Sequence, residues 1–416
     1  MSIAQKVILF IALTLAVAIV STCAKREPVE EGRCRLKFKA VAEHDEAILA
    51  LTKQYLASST DKPSELTDLP RDMIADYVYF LAELAGKSTP MILGSYSKLE
   101  RSMLYVDTNG DGRLSDEKPY RTKITELSGI YGKEYKFGPI LMRSRDADRE
   151  FETKFYAKTY SGRQLVLHPS GYRVGKLRLD KNTYKVAVVD GNLDGRYDGI
   201  LSLPLEDSYR PGCDIFAINL ARDGRKWLYS SFWSSEIMPL ARMVKVYDTY
   251  YGIDVAPDGT ILELKKVQPK LGTLDFGGAN VKLKLWSDAA DQFLFGPEGS
   301  WPLPAGAYSA LFIELNEIDS SRNAWTFKSY RDTGPLRDFE IRAGETNSFK
   351  IGPPFSVKAD VKQIRDRVLI GMKLEGRAKE LYRMPVMKGG RRQPAPEFKI
   401  VKESGEVLAS GQFEYG

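Results

Sequence analysis

"DTNGDGRLSDE", residues 107–117, places oxygen-bearing side chains at every second position and follows them with a glycine. Asp107, Asn109 and Asp111 occupy positions one, three and five, and Gly112 position six. Such alternation gathers hard oxygen donors around one centre, because the intervening residues point away and the glycine permits a sharp turn. Arg113, at position seven, would contribute only its backbone carbonyl, and Asp116 would close the loop. A second stretch, "VVDGNLDGRYDG" (residues 188–199), repeats the pattern, with Asp190, Asn192, Asp194, Gly195 and Arg196 in the same roles and Asp198 as the closing acid. Apolar runs, "RSMLYVD" and "KVAVVD", precede both, so a repeated unit of strand plus loop is expected in a mainly β protein.

Position twelve of the first stretch is Lys118, where an EF-hand has a bidentate glutamate. The shorter pattern resembles the compact calcium loops of extracellular modules such as the dockerin and thrombospondin type 3 classes. That resemblance implies calcium as the cofactor. A competing reading makes the loops plain hairpin turns, for which Asp-Gly and Asn-Gly pairs are a strong signal. Charge favours the metal, since carboxylates crowded into one turn repel unless a cation neutralises them. "NLARDGR" (residues 219–225) and "DVAPDGT" (residues 254–260) keep the Asp-Gly but carry Ala221 and Ala256 in place of a ligand, so they are expected to be turns alone.

The rest of the composition narrows the function. There are 61 basic and 55 acidic residues, a net charge of +6 with no long basic block, so nucleic acid is not an expected partner. The basic "KGGRR" (residues 388–392) reads as a solvated loop. With two histidines, His44 and His168, and no close cysteine pair, zinc and copper lack ligands. His168, in "VLHPSGY", reads as a strand-end residue. The chain contains no GxSxG, P-loop or GxGxxG motif. A non-catalytic protein is therefore expected, with glycoside hydrolysis by paired carboxylates as the enzymatic alternative. "RKWLYSSFWSSE" (residues 225–236) reads as a core strand, or else as an aromatic platform for sugars.

The N-terminus has the layout of an export signal, with one lysine and then an uncharged apolar run over residues 7–20. "AIVSTC" resembles the bacterial lipobox, which would make Cys23 a lipidation site. Cleavage after Ala24 and an uncleaved anchor are the competing outcomes. Either cleavage leaves Cys34 and Cys213, which would form a disulfide in an oxidising compartment or remain buried thiols. Membrane contact is expected only through the lipid or signal segment, and location in the cell envelope or outside the cell.

The expected layout is an export signal at 1–24, an N-terminal segment at 25–92, a β-rich domain with the two loops at 93–270, a β-sandwich at 271–351 and a small Ig-like or fibronectin-like domain at 352–416. Residues 44–58 predict a short amphipathic helix from their apolar spacing, and residues 76–96 a hairpin. "NVKLKLWSD" alternates Val281, Leu283 and Leu285 with lysines, predicting a half-buried strand. "WPLPAGAYSALFIEL" resembles the strand opening of carrier-type sandwich repeats in bacterial surface proteins, and Gly352-Pro353-Pro354 reads as a linker. The fold class is thus several β-sandwich or Ig-like modules in tandem behind a short helical segment. The layout resembles exported bacterial proteins of unknown function that string such modules behind a lipoprotein-type signal, and it implies an unidentified surface ligand or protein as partner.

Overall fold

The computed structural model describes residues 30–41, 51–70, 77–94, 103–126, 133–146, 149–160, 163–205, 211–221, 236–296, 299–330, 333–365 and 367–414. Among them the chain is mainly β, with no α-helix and a single 3-10 turn at Gly334–Leu336. The export signal with Cys23, residues 44–50 of the expected helix, and most of the aromatic stretch after Arg225 lie outside the described residues. The part of the expected helix that is described contains a strand, Gln54–Ala57, paired with Gln164–Pro169. Tyr55 and Leu56 point to opposite sides of that edge strand, so apolar spacing over so short a stretch fits a helix and a strand alike.

The expected hairpin forms from Tyr77–Leu84 and Lys87–Gly94. Its turn residues Ala85 and Gly86 both have positive φ (52° and 70°), which matches the right-handed twist of the strands they join. Met103–Val106 and Tyr120–Arg121 continue that sheet. A second sheet runs in the order Gln54–Ala57, Gln164–Pro169, Arg149–Thr159, Lys133–Asp146, Lys123–Glu126. The two sheets share one core, with Phe80, Leu84 and Met91 packed among Phe137, Ile140 and Phe155.

A third sheet has the order Ile237–Pro239, Ile215–Ile218, Asn182–Val189, Gly171–Leu179, Lys37–Ala40. One of its faces packs on a fourth, built from Arg33–Arg35, Ile261–Val267, Thr249–Val255 and Met243–Val246. The other face packs Ala187, Val189 and Ile215 with Trp286 and Leu311 from farther along the chain. Burial on both faces explains why "VAVVD" is an unbroken apolar run rather than an alternating one. Residues 254–260 form the tight turn of the Thr249–Val255 and Ile261–Val267 hairpin.

The remaining residues form a nine-stranded sheet, a three-stranded sheet that shares its core, and a last hairpin, Glu397–Val401 with Val407–Gln412. All named strand pairs are antiparallel except Leu271–Asp275 with Thr346–Ser348. Asn280–Ser287 buries Val281, Leu283 and Leu285 as expected, but Lys284 is buried too, ion-paired with Asp291, because that face is also covered.

Two expected boundaries do not separate cores. Position 92/93 falls inside strand Lys87–Gly94, and strands Arg33–Arg35, Lys37–Ala40 and Gln54–Ala57 pair with partners far along the chain. Gly352-Pro353-Pro354 is a turn within one sheet system, since Leu381–Lys388 pairs with Ala324–Tyr330 and Leu374, Tyr382 and Val386 join the core of residues 274–351. Proline and glycine mark a change of direction, and a change of direction is not a change of core. Cys34 and Cys213 are both free, buried in different core clusters, so of the two expected outcomes the structure has the buried thiols and not the disulfide. Burial pushes the Cys34 thiol up to about 12, which keeps it protonated.

One residue ties the first pair of sheets to the third. Leu193, in the loop after Asn182–Val189, is fully buried in the core of the first two sheets, and its carbonyl accepts a hydrogen bond from Ala85 N (2.8 Å). It does so at φ 61°, a left-handed conformation that costs a non-glycine residue about 1 kcal/mol or more. Packing against a foreign core offsets that strain. Leu193→Ala is expected to lower the stability of the chain by about 3 kcal/mol, read from urea unfolding.

Candidate metal centre

Both aspartate loops are built by the same ladder of side-chain caps. In the first, Asp107 Oδ1 accepts from the amides of Gly110 (2.7 Å) and Asp111 (3.2 Å), and Oδ2 from Gly112 (2.9 Å). Asn109 Oδ1 caps the Asp111 amide (2.9 Å), and Asp111 Oδ1 caps that of Arg113 (2.8 Å). In the second, Asp190 Oδ1 caps the Asp194 amide (3.1 Å) and Oδ2 that of Gly195 (3.0 Å). Asn192 Oδ1 then caps Asp194 (3.3 Å), and Asp194 Oδ1 caps Arg196 (2.7 Å). Position six needs glycine in both places. Gly112 has φ 76°, and a Cβ there would collide with the Glu65 carbonyl; Gly195 has φ 87° and lies against Phe151. Position eight is buried in both, as Leu114 and Tyr197.

The ends of the loops differ from expectation. Asp116 reaches only Asn109 Nδ2, at 3.5 Å, and the closing contact comes from Glu117, whose Oε1 accepts from Thr108 N and Oγ1, both at 2.7 Å. Arg113 turns its side chain towards Asp68 (3.9 Å), which also accepts from Ser115 Oγ (2.5 Å). In the second loop Asp198 is held by the Arg196 guanidinium (2.8 and 3.0 Å) instead of facing the other donors. A neighbouring guanidinium satisfies an exposed carboxylate more readily than a distant loop centre does. Among the described residues no three Asp, Glu, His or Cys side chains converge closely enough to hold a metal ion as they stand. The donors of both loops are therefore of the right type for calcium but spent on backbone amides.

The second loop differs in its electrostatics. Asp214, which precedes strand Ile215–Ile218, is fully buried and spans the loop, accepting from Gly191 N (3.0 Å) through one oxygen and Gly199 N (2.7 Å) through the other. Asp190 is buried as well and also accepts from Thr153 Oγ1 (2.7 Å). Burial, with a further contribution from Asp194, pushes the Asp190 carboxyl up to about 7. Burial, then Asp190 and Asp194, drives Asp214 well above the usual carboxylate range. Asp190, Asp194 and Asp214 are hard oxygen donors of the type a divalent cation takes, gathered at one loop without converging on a single point as they stand. Sequence reading missed Asp214; its trace is a lone acid opening an apolar run, "CDIFAI".

The loop lies between two cavities. One, of about 420 Å³, is lined by Asp190 and Tyr197 together with Glu150, Glu152, Arg173 and Asp258. The other, of about 460 Å³, is lined by Gly191 and Asn192 with Gln54 and Glu83; Gln54 Nε2 donates to the Asn192 carbonyl (2.8 Å). His168 sits in strand Gln164–Pro169, as its sequence context predicts, and burial lowers its pKa to about 4. It lies outside both cavity linings. In comparisons with family models, curated proteins and solved structures, nothing matches this chain.

A carboxyl whose pKa is higher in the folded state than in the unfolded state binds extra protons when folded, so it favours folding at low pH and loses that contribution as pH rises. For Asp190 the window runs from about 4 to about 7. In chelator-treated protein the melting temperature is expected to fall across that window by several degrees. Asp190→Asn should flatten the dependence, as followed by circular dichroism.

Proposed function

We propose that this chain is an exported, non-catalytic binding protein of tandem β-sandwich modules, Ig-like in build, in which calcium at the second aspartate loop locks two modules together. The observation that carries this reading is the pair of buried carboxyls, Asp190 in the loop that inserts Leu193 into the neighbouring core and Asp214 facing it. Asp190, Asn192 and Asp194 with Asp214 would hold the ion. It would supply the positive charge that keeps the carboxylates ionised. Asp107, Asn109 and Asp111 form the weaker counterpart, since among the described residues they have no second buried acid facing them as Asp214 faces Asp190. Export rests on the apolar run at residues 7–20, with Cys23 as lipid anchor or cleavage after Ala24 as simple secretion.

A second reading is favoured by the 420 Å³ cavity. A carboxyl held near 7 beside Glu150, Glu152 and Asp258 has the makings of a general acid with a carboxylate partner, the pairing that glycoside hydrolysis uses. The two readings differ in what Asp190 does. In the first it ionises to bind a cation; in the second it gives up a proton to a leaving group.

Thermal unfolding in excess EDTA and in about 1 mM calcium separates them. A site with a Kd near 10 μM gains roughly 2.7 kcal/mol at that excess. The rise in melting temperature is expected to vanish in Asp214→Asn and to persist in Asp107→Ala. Melts unchanged by calcium, together with glycan cleavage lost in Asp190→Asn, would establish the enzyme instead.

A further inference from the structure

The far end of the nine-stranded sheet has an apolar face that its covering layer does not fill. Ser356–Ile364 and Arg367–Glu375 pair so that Val357, Ala359 and Val361 stand opposite Leu374, Met372 and Ile370, all on one face. Directly paired residues of an antiparallel ladder share a face, so this is a continuous apolar strip. Across from it, among the described residues, lie strand Glu397–Val401 and its flanking residues Gln393, Pro394, Pro396 and Phe413, leaving a cavity of about 1020 Å³. Val357 and Val361 remain 64% and 60% exposed.

How the hairpin borders the cavity is informative. The six consecutive residues 396–401 all line it. Side chains alternate across a strand, so one face would contribute every second residue; an uninterrupted run means that the edge of the strand meets the cavity. That edge is open, since Glu397–Val401 pairs with Val407–Gln412 alone among the described residues. An open edge beside an uncovered apolar strip accepts one more strand, with hydrogen bonds from the edge and alternate side chains lodged over the strip. Charge narrows the partner. Residues 353–416 hold thirteen lysines and arginines against eight acids, a surplus of five in a chain whose whole net charge is +6. A second copy would bring the same positive end and be repelled.

We infer that this groove binds an extended, acidic segment of a partner polypeptide by strand addition to Glu397–Val401, apolar side chains inward and acidic ones outward. This deepens the binding half of the function proposed above and is independent of the cation at Asp190: the calcium melts can fail while this stands, and the reverse.

The test is a titration of the full chain into fluorescein-labelled eight-residue peptides, followed by anisotropy. The probes are alternating valine and glutamate, the same peptide with alternate backbone amides N-methylated, and alternating valine and lysine. Binding of the first at least tenfold tighter than either of the others is expected. Val361→Asp and Lys399→Glu, both at solvent-exposed positions, should each weaken it several-fold while leaving the melting temperature unchanged. Equal binding of the N-methylated peptide, or displacement by palmitate, would make the cavity a simple apolar pocket and overturn strand addition. A concentration-dependent dimer in sedimentation that both variants abolish would assign the edge to a second copy, and absence of binding by all three peptides would remove the groove as a peptide site.

Discussion

A carboxylate folded back onto the amides of its own loop is the constraint on which the middle of this protein depends. Asp190 caps the loop after Asn182–Val189, the capped loop carries Leu193 in a left-handed conformation, and Leu193 closes the core of two sheets to which its own strand does not belong. Each link needs the one before it. Without the caps, the buried amide of Gly195 would lose its acceptor, at roughly 1–3 kcal/mol, and that of Asp194 would keep only the longer bond to Asn192 Oδ1. The first loop uses the same ladder for a more local purpose, laying Leu114 against Ile92 and Tyr105 on the outer face of the hairpin sheet.

The two loops show how one short pattern serves different chemistry through its surroundings. Asp111 and Asp116 of the first loop are exposed, so water screens their charges. The second loop sits where sheets meet, and a second buried acid, Asp214, faces it across the glycines at 191 and 199. Burial turns an ordinary turn into a charge problem that protons or a cation must answer.

Much of this was legible in the chain and some was not, for identifiable reasons. The strands running into both loops and the hairpin around Gly86 follow from alternation and turn chemistry, which are local. The glycines at 112 and 195 were legible because only left-handed backbone satisfies the wrap. Domain boundaries were not, because Gly352-Pro353-Pro354 looks the same whether the chain leaves a sheet or returns to it. Asp214 was invisible as a loop member because nothing in sequence says that residues so far apart face one another. Lys284 misled because its alternation was right while its opposite face was covered by Asp291.

The first described strands carry a last consequence. Arg33–Arg35 pairs with Ile261–Val267 in one sheet, and Lys37–Ala40 pairs with Gly171–Leu179 in another, so eight residues stitch together two sheets whose other strands follow much later. Contacts this distant in sequence slow folding, since the long intervening loop must close before they contribute. On a ribosome adding residues one at a time, the opening strands emerge with no edge to join. The early chain must wait in an unfinished state until residue 267 has been made, and the interval between synthesis and closure is set by the order of the strands and not by their strength.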